Sequence, residues 1–475
     1  MDTVIVLGYL LVILALGLWA GRGIRTLTDY SVVGRAYGAP IIFATLAASF
    51  IGGGFSLGNA EKVFRFGIVN ILALWGFSLK EMLVGLFIAP RMDRYRDAIS
   101  VGDIMERHYG TAAKVFTGLF AIILCSGILG AQVGAMGYIF NVFLGIPCVW
   151  GMMIGCGIVI AYSTVGGMKS VVVTDIVQFV VLAIGIPLTL IMGIIHVGGI
   201  EGMGGAIPAE RFSCFGELSL TAFLSLFLTF LLGETLVPPY VQRLLIGKDA
   251  RNTATGTFYS GVFSIPFFAV TGGIGLVAYA LNAHLDPNLA MPYVIKEVLP
   301  FGIRGVVIAG VISIVMSSAD SFLNAAAISC VNDVIKPLRA APMGARQELG
   351  IAKVINLLTG TLAVFFAVKI ESILDILIYS YNFWAPIIVV PLAAVILGVP
   401  ATTRHFAAGA IGGIMGALIW HGILHNPLSI DSLVAGTFCN MAAFWLSYRL
   451  FPRQEAGEDA TSLVPEEESQ SNTLK

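Results

Sequence analysis

Charge is what this chain has least of. Only 12% of its 475 residues are Asp, Glu, Lys or Arg, about half the share of an ordinary soluble domain. A soluble globule is excluded on that ground. The net charge of −1 favours no polyanion, and no basic cluster suits nucleic acid. Cysteine is scarce as well. Cys125, Cys148, Cys156, Cys214, Cys330 and Cys439 mostly lie inside apolar runs without metal-like spacing. They read as small core residues, not as a disulfide framework or zinc ligands. The few His are scattered. Only His421 and His425 have the four-residue spacing of a helical metal pair, and no acidic residue stands between them. Two interface histidines fit better than an intramembrane enzyme, and no organic cofactor is expected. The first stretch, MDTVIVLGYLLVILALGLWAGRG, lacks a basic region ahead of its apolar run. It reads as a first membrane span, not a signal peptide.

Apolar runs are what the chain has in excess, at 57% hydrophobic residues. A spanning helix needs roughly 20 apolar residues. Such runs recur at 2–20, 38–58, 66–90, 113–143, 146–165, 172–195, 218–246, 256–281, 302–330, 350–369, 372–398, 404–424 and 430–450, about thirteen in all. The expectation is an all-α polytopic membrane protein with one transmembrane domain over 1–452 and an acidic, disordered tail over 453–475.

Loop charge supports the odd count. Basic residues cluster after spans 1, 3, 5, 7, 9, 11 and 13, with Arg243, Lys248 and Arg251 counted to the loop after span 7. The intervening loops hold few. The N-terminus is therefore expected outside and the C-terminus in the cytoplasm. Short loops and compact length point to a bacterial inner membrane, and to a monomer or weak homo-oligomer.

Four spans depart from plain apolar sequence. Residues 310–337, GVISIVMSSADSFLNAAAISCVNDVIKP, place Ser317, Ser318, Asp320 and Ser321 together in an apolar helix. Oxygens at bilayer depth face a bundle interior or a cavity, and hydroxyls with a carboxylate suit a hard cation. Bonding back to the helix's own carbonyls is the alternative. Span 2 carries Gly52, Gly53 and Gly54 at mid-depth, flanked by Ser49, Ser56 and Asn59. Such a run lets a helix open and free its carbonyls, or lets helices approach closely. Span 7 is interrupted by Gly233 and Pro238-Pro239, with Glu234 at mid-depth. That carboxylate faces a site, pairs with Arg243, or stays neutral by burial. Span 11 follows Lys369 and Glu371 and puts Tyr379, Tyr381, Asn382 and Trp384 before Pro386. These residues suit the wall of a polar solute site, though aromatics also anchor span ends. Broken spans 2 and 7 stand five apart, which points to an inverted 5+5 repeat, about 38–195 and 218–398, with one helix before and two after.

Several motifs now carry a resemblance: SFIGGGFSLGNAEKVFRFG, YSTVGGMKSVVVTDIVQFVVLAIG, YVQRLLIGKDARNT and VMSSADSFLNAAAISCVNDVIKP. Over most of its length the chain resembles the sodium:solute symporter family, which has the LeuT-type fold, and within it the branch that includes high-affinity choline transporters. The resemblance implies a sodium site made by the carbonyls of Ala48, Ile51 and Ile314 and the hydroxyls of Ser317 and Ser318. It makes Asp175 an acid on the sodium exit path or at a further sodium site, where the alternative is a pair with Lys169. Asp320 is similar to the acid of the choline-transporter branch. Phe50 and Val237 stand where those relatives have the Trp that would cage a quaternary ammonium.

Candidate solute-contacting residues are Phe50, Gly53, Ser56, Gln132, Glu234, Val237, Tyr240, Tyr381, Asn382 and Trp384. The expected function is sodium-coupled import of a small organic solute such as an amino acid, amine or related polar metabolite. The alternatives are a proton-coupled carrier of the same fold and a transport-inactive sensor. The expected partners are the solute and the bilayer, with no nucleic acid.

Overall fold

The computed structural model of the chain describes residues 2–50, 53–216, 218–369 and 380–452. Ile51, Glu371, Tyr379 and the acidic tail fall outside these residues. Gly53 is described only as the first residue of its helix. Among the described residues the structure is helical, with one isolated bridge between Tyr37 and Gly247. This follows from a chain that must satisfy its own backbone hydrogen bonds within lipid.

Seven described helices are long and apolar enough to cross a bilayer, or eight if the bent pair in span 2 is counted as one span. The chain is an integral membrane protein. The thirteen expected spans exceed this number for identifiable reasons. Cys148–His196 joins expected spans 5 and 6 in one element. Span 7 is split into Leu220–Leu232 and Pro238–Leu245, each too short to cross. Span 11 begins outside the described residues. The last two runs form the Thr403–Gly422 and Ser432–Leu450 helices, which pack on each other and are long enough to cross but not apolar enough to be counted.

The centre of the bundle is Ile303–Leu338, whose most apolar window is 94% buried, against 28% for Asp2–Ala20 at the edge. It packs against Thr111–Leu144, Cys148–His196 and both halves of span 2. A helix surrounded on all sides can hold oxygens at mid-depth without exposing them to lipid, and this positions the site. Span 2 is bent by 50° between Ala39–Phe50 and Phe55–Phe66. Span 7 is broken over 233–237, where Leu236 adopts a left-handed φ of 53°. Pro238 and Pro239 then open the second half, a position where their missing N–H groups cost nothing. The indole of Trp384 donates to the freed carbonyl of Thr235 at 3.2 Å.

The end of the central helix on the basic-loop side is tied by polar contacts. Ser100 donates to Asp333 at 2.5 Å, and Asn332 donates to Asp103 at 2.8 Å. Lys114 pairs with Asp103 and Glu106 at 2.8 and 2.7 Å. On the same side Asp249 caps the Ala250–Leu281 helix. The backbone N–H of Asn252 holds its carboxyl below the usual carboxylate range.

Gly167 makes the bend inside Cys148–His196, with φ 51° and ψ −139°. A Cβ there would stand 2.4 Å from the carbonyl oxygen of Tyr30. Gly167→Ala should destabilise by at least about 1–3 kcal/mol from backbone strain alone. Thermal unfolding in detergent checks this, and an unchanged midpoint contradicts it.

Candidate ion and solute site

Asp175, Arg243, Ser317, Ser318, Asp320 and Ser321 meet beneath the break in span 2. Arg243 and Asp175 form an ion pair at 3.0 Å with both side chains fully buried. The guanidinium also donates to Ser49 Oγ at 2.5 Å, Ser321 Oγ at 2.6 Å and Thr45 Oγ1 at 3.0 Å. Asp175 accepts in addition from Ser317 at 2.5 Å and from Thr45. Asp320 accepts from Tyr162 at 2.5 Å and Ser321 at 3.0 Å. Ser318 Oγ donates to the carbonyls of Ser49 at 2.7 Å and Ile314 at 3.3 Å. Ala48 and Ile314 are buried beside them.

Two carboxylates face a single guanidinium in this cluster. With both ionised, one buried negative charge is left over, which is costly unless a cation or a proton neutralises it. The surrounding hydroxyls and carbonyls are neutral oxygens of the kind that coordinate a hard monovalent ion weakly.

Above the cluster lies a cavity of about 500 Å³ that runs between the broken helices toward Glu61 and Lys62. Its floor holds Ser49, Phe50, Ser318 and Phe322. Of the expected solute residues, Phe50, Gln132, Glu234 and Tyr381 line it. Tyr381 donates its hydroxyl to Glu234 Oε1.

Ser56, Val237, Tyr240, Asn382 and Trp384 do not appear in its wall. Val237 and Tyr240 are fully buried behind it. Asn382 accepts from Ser432 at 3.3 Å.

The structure corrects the place of Arg243 and closes two of the alternative pairings. Arg243 is not a loop residue, because the second half of span 7 turns inward and buries it completely; Lys248 stays exposed on that loop and Arg251 in the first turn of the helix that follows. The partner of Asp175 is Arg243, not Lys169. Glu234 therefore does not pair with Arg243 and takes Tyr381 instead.

Sequence reading passed over Thr45, Tyr162 and the neighbouring charges Lys80 and Glu81. Lys80 and Glu81 pair at 2.7 Å while buried, and Tyr240 donates to Glu81 at 3.0 Å. Lys80 Nζ sits 3.9 Å from the Phe77 ring centre and 4.6 Å from that of Tyr240. The signal was available as charge in the middle of span 3.

A broken-helix bundle with buried oxygens under a central cavity is the architecture of a secondary transporter. The family model of the sodium:solute symporter family matches residues 30–416, and the chain belongs to that family. Its members are transporters, not enzymes. High-affinity choline transporter 1 of Caenorhabditis elegans is 25% identical over 463 residues, which is 90% of this chain and 78% of that protein. The human sodium/iodide cotransporter is 26% identical, over 86% of this chain and 68% of that protein. High-affinity proline transporter PutP of Bacillus subtilis is 26% identical, over 45% and 47% respectively. Among solved structures, an outward-open, substrate-bound Na+-coupled sialic acid symporter superposes with a TM-score of 0.81 at 19% identity, over 95% of this chain and 98% of that one. That likeness shows a shared fold.

Removing one partner of a buried ion pair strands the other. Asp175→Asn and Arg243→Gln should each cost about 3–5 kcal/mol, and the double variant should cost clearly less than their sum. Thermal unfolding of the three variants checks the coupling; strictly additive losses contradict it.

Proposed function

We infer that the protein is a sodium-coupled symporter that imports a small organic solute. The observation that carries this reading is the shared floor. Ser49 and Ser318 line the solute cavity and also belong to the buried oxygen cluster. A cation held by Ser317, Ser318 and the carbonyls of Ala48 and Ile314 would lie directly under the solute. Occupancy of one site then changes the hydrogen bonding of the other, as coupling requires. The leftover negative charge of the Asp175–Asp320–Arg243 group supports a monovalent cation there, with Asp175 and Asp320 as a second sodium position or exit path.

The cavity opens at the Glu61–Lys62 end, which loop charge assigns to the outside. Thirteen spans, a single transport domain over 1–452 and a cytoplasmic tail complete this reading. The membrane is the bacterial inner membrane, and the unit a monomer or weak oligomer.

A proton-coupled carrier is the second reading, supported by the same excess carboxylate: a proton on Asp320 balances the charge as a sodium ion would.

Ser317→Ala combined with Ser318→Ala should abolish sodium-dependent stabilisation and uptake while the protein still inserts and purifies as a single species. Unchanged sodium dependence in the double variant contradicts the assignment.

A further inference from the structure

We propose that Glu234 is the residue that selects the solute, and that the solute presents a protonated amine with N–H groups to it. The inference rests on the symport reading above and names its substrate class.

Glu234 is only 6% exposed. Its Oε1 is engaged by Tyr381, while Oε2 has no hydrogen-bond partner. Gln132 is also 6% exposed, and its Oε1 has no partner either. Both side chains line the cavity, and so does Thr229, whose Oγ1 is likewise unpartnered. A buried acceptor without a donor is costly. Unpartnered acceptors such as Glu234 Oε2 and Gln132 Oε1, on side chains that line a cavity, therefore call for a ligand that brings donors.

Charge points the same way. The charged residues lining the cavity are Glu61, Glu234, Asp431 and Lys62; Glu61 is paired to Arg65 at 3.2 Å, which leaves two carboxylates, Glu234 and Asp431, against the one ammonium. Lys62 sits at the mouth, 5.8 Å from the ring centre of Phe66. The other nearby cations are committed elsewhere. Lys80 is paired to Glu81, and Arg243 to Asp175. A cleft of one sign with low-dielectric walls concentrates the opposite charge. Phe50, Phe55 and Phe322 supply apolar wall for the solute body.

A quaternary ammonium satisfies the charge but has no N–H to donate, so it leaves Glu234 Oε2 and Gln132 Oε1 unpaired. A site built to hydrogen-bond a donor rejects the analogue that lacks it. A free carboxylate without an amine meets repulsion.

The test is thermal unfolding of the purified full chain in sodium, with ethanolamine, glycine and their N-trimethyl counterparts choline and betaine, and with lactate and glucose. At least one N–H amine should raise the midpoint, with its N-trimethyl counterpart at least ~10-fold weaker in apparent affinity. Glu234→Gln keeps the shape and removes the charge. It should weaken that amine at least ~10-fold and leave the shift produced by sodium alone unchanged. The proposal is overturned if choline, betaine, lactate or glucose is the stabilising solute, if no amine in the series acts, or if Glu234→Gln keeps full amine affinity. Should that variant not fold, the amine-against-trimethyl comparison in the unaltered chain decides alone. Loss of the sodium shift itself speaks against sodium coupling and leaves the amine comparison intact.

Discussion

The rest of the structure depends on the buried pair between Arg243 and Asp175. Taking both charges out of water costs several kcal/mol per ion. Their attraction and a shell of hydroxyls from Thr45, Ser49, Ser317 and Ser321 offset that cost. These groups come from four segments distant in sequence: the first half of span 2, Cys148–His196, the second half of span 7 and the central helix. The pair thus fixes how the broken helices sit against the intact ones. It also explains the break in span 7, since Arg243 reaches the centre because the chain restarts at Pro238 and turns inward.

Placing a guanidinium among hydroxyls makes the cluster a balanced but adjustable charge arrangement. Asp320 adds a second carboxylate beside Ser321, so a monovalent cation or a proton completes the balance. Ser49 and Ser318 carry the state of that cluster to the cavity floor. In the proposed mechanism sodium rearranges these two serines first. The solute then binds against Phe50 and Phe322, with Glu234 and Tyr381 holding its polar end, and closure follows from joint occupancy.

Much of the fold was legible because lipid imposes long apolar runs and leaves few other options. Helix identity, the two broken spans and the polar stretch at 317–321 could be read from composition and punctuation alone. The cluster's partners could not. Arg243 reads as one more basic residue after a span, because linear charge counting has no means of seeing a helix that restarts and folds inward. Thr45 and Tyr162 are single polar residues in apolar runs, and only packing distinguishes them from helix-lining residues. Val237, Tyr240 and Trp384 lie at the right depth but turn behind the wall, since the direction of a side chain past a helix break does not follow helical spacing.

The central claim is that sodium binds among these buried oxygens. It is tested most directly by equilibrium binding of radioactive sodium to the purified protein, with potassium as competitor at constant ionic strength. The account predicts saturable binding that excess potassium does not displace and that a transported solute tightens, since coupling between two bound ligands is reciprocal. Absence of saturable sodium binding, or displacement by potassium as readily as by sodium, would contradict it and make proton coupling the better description.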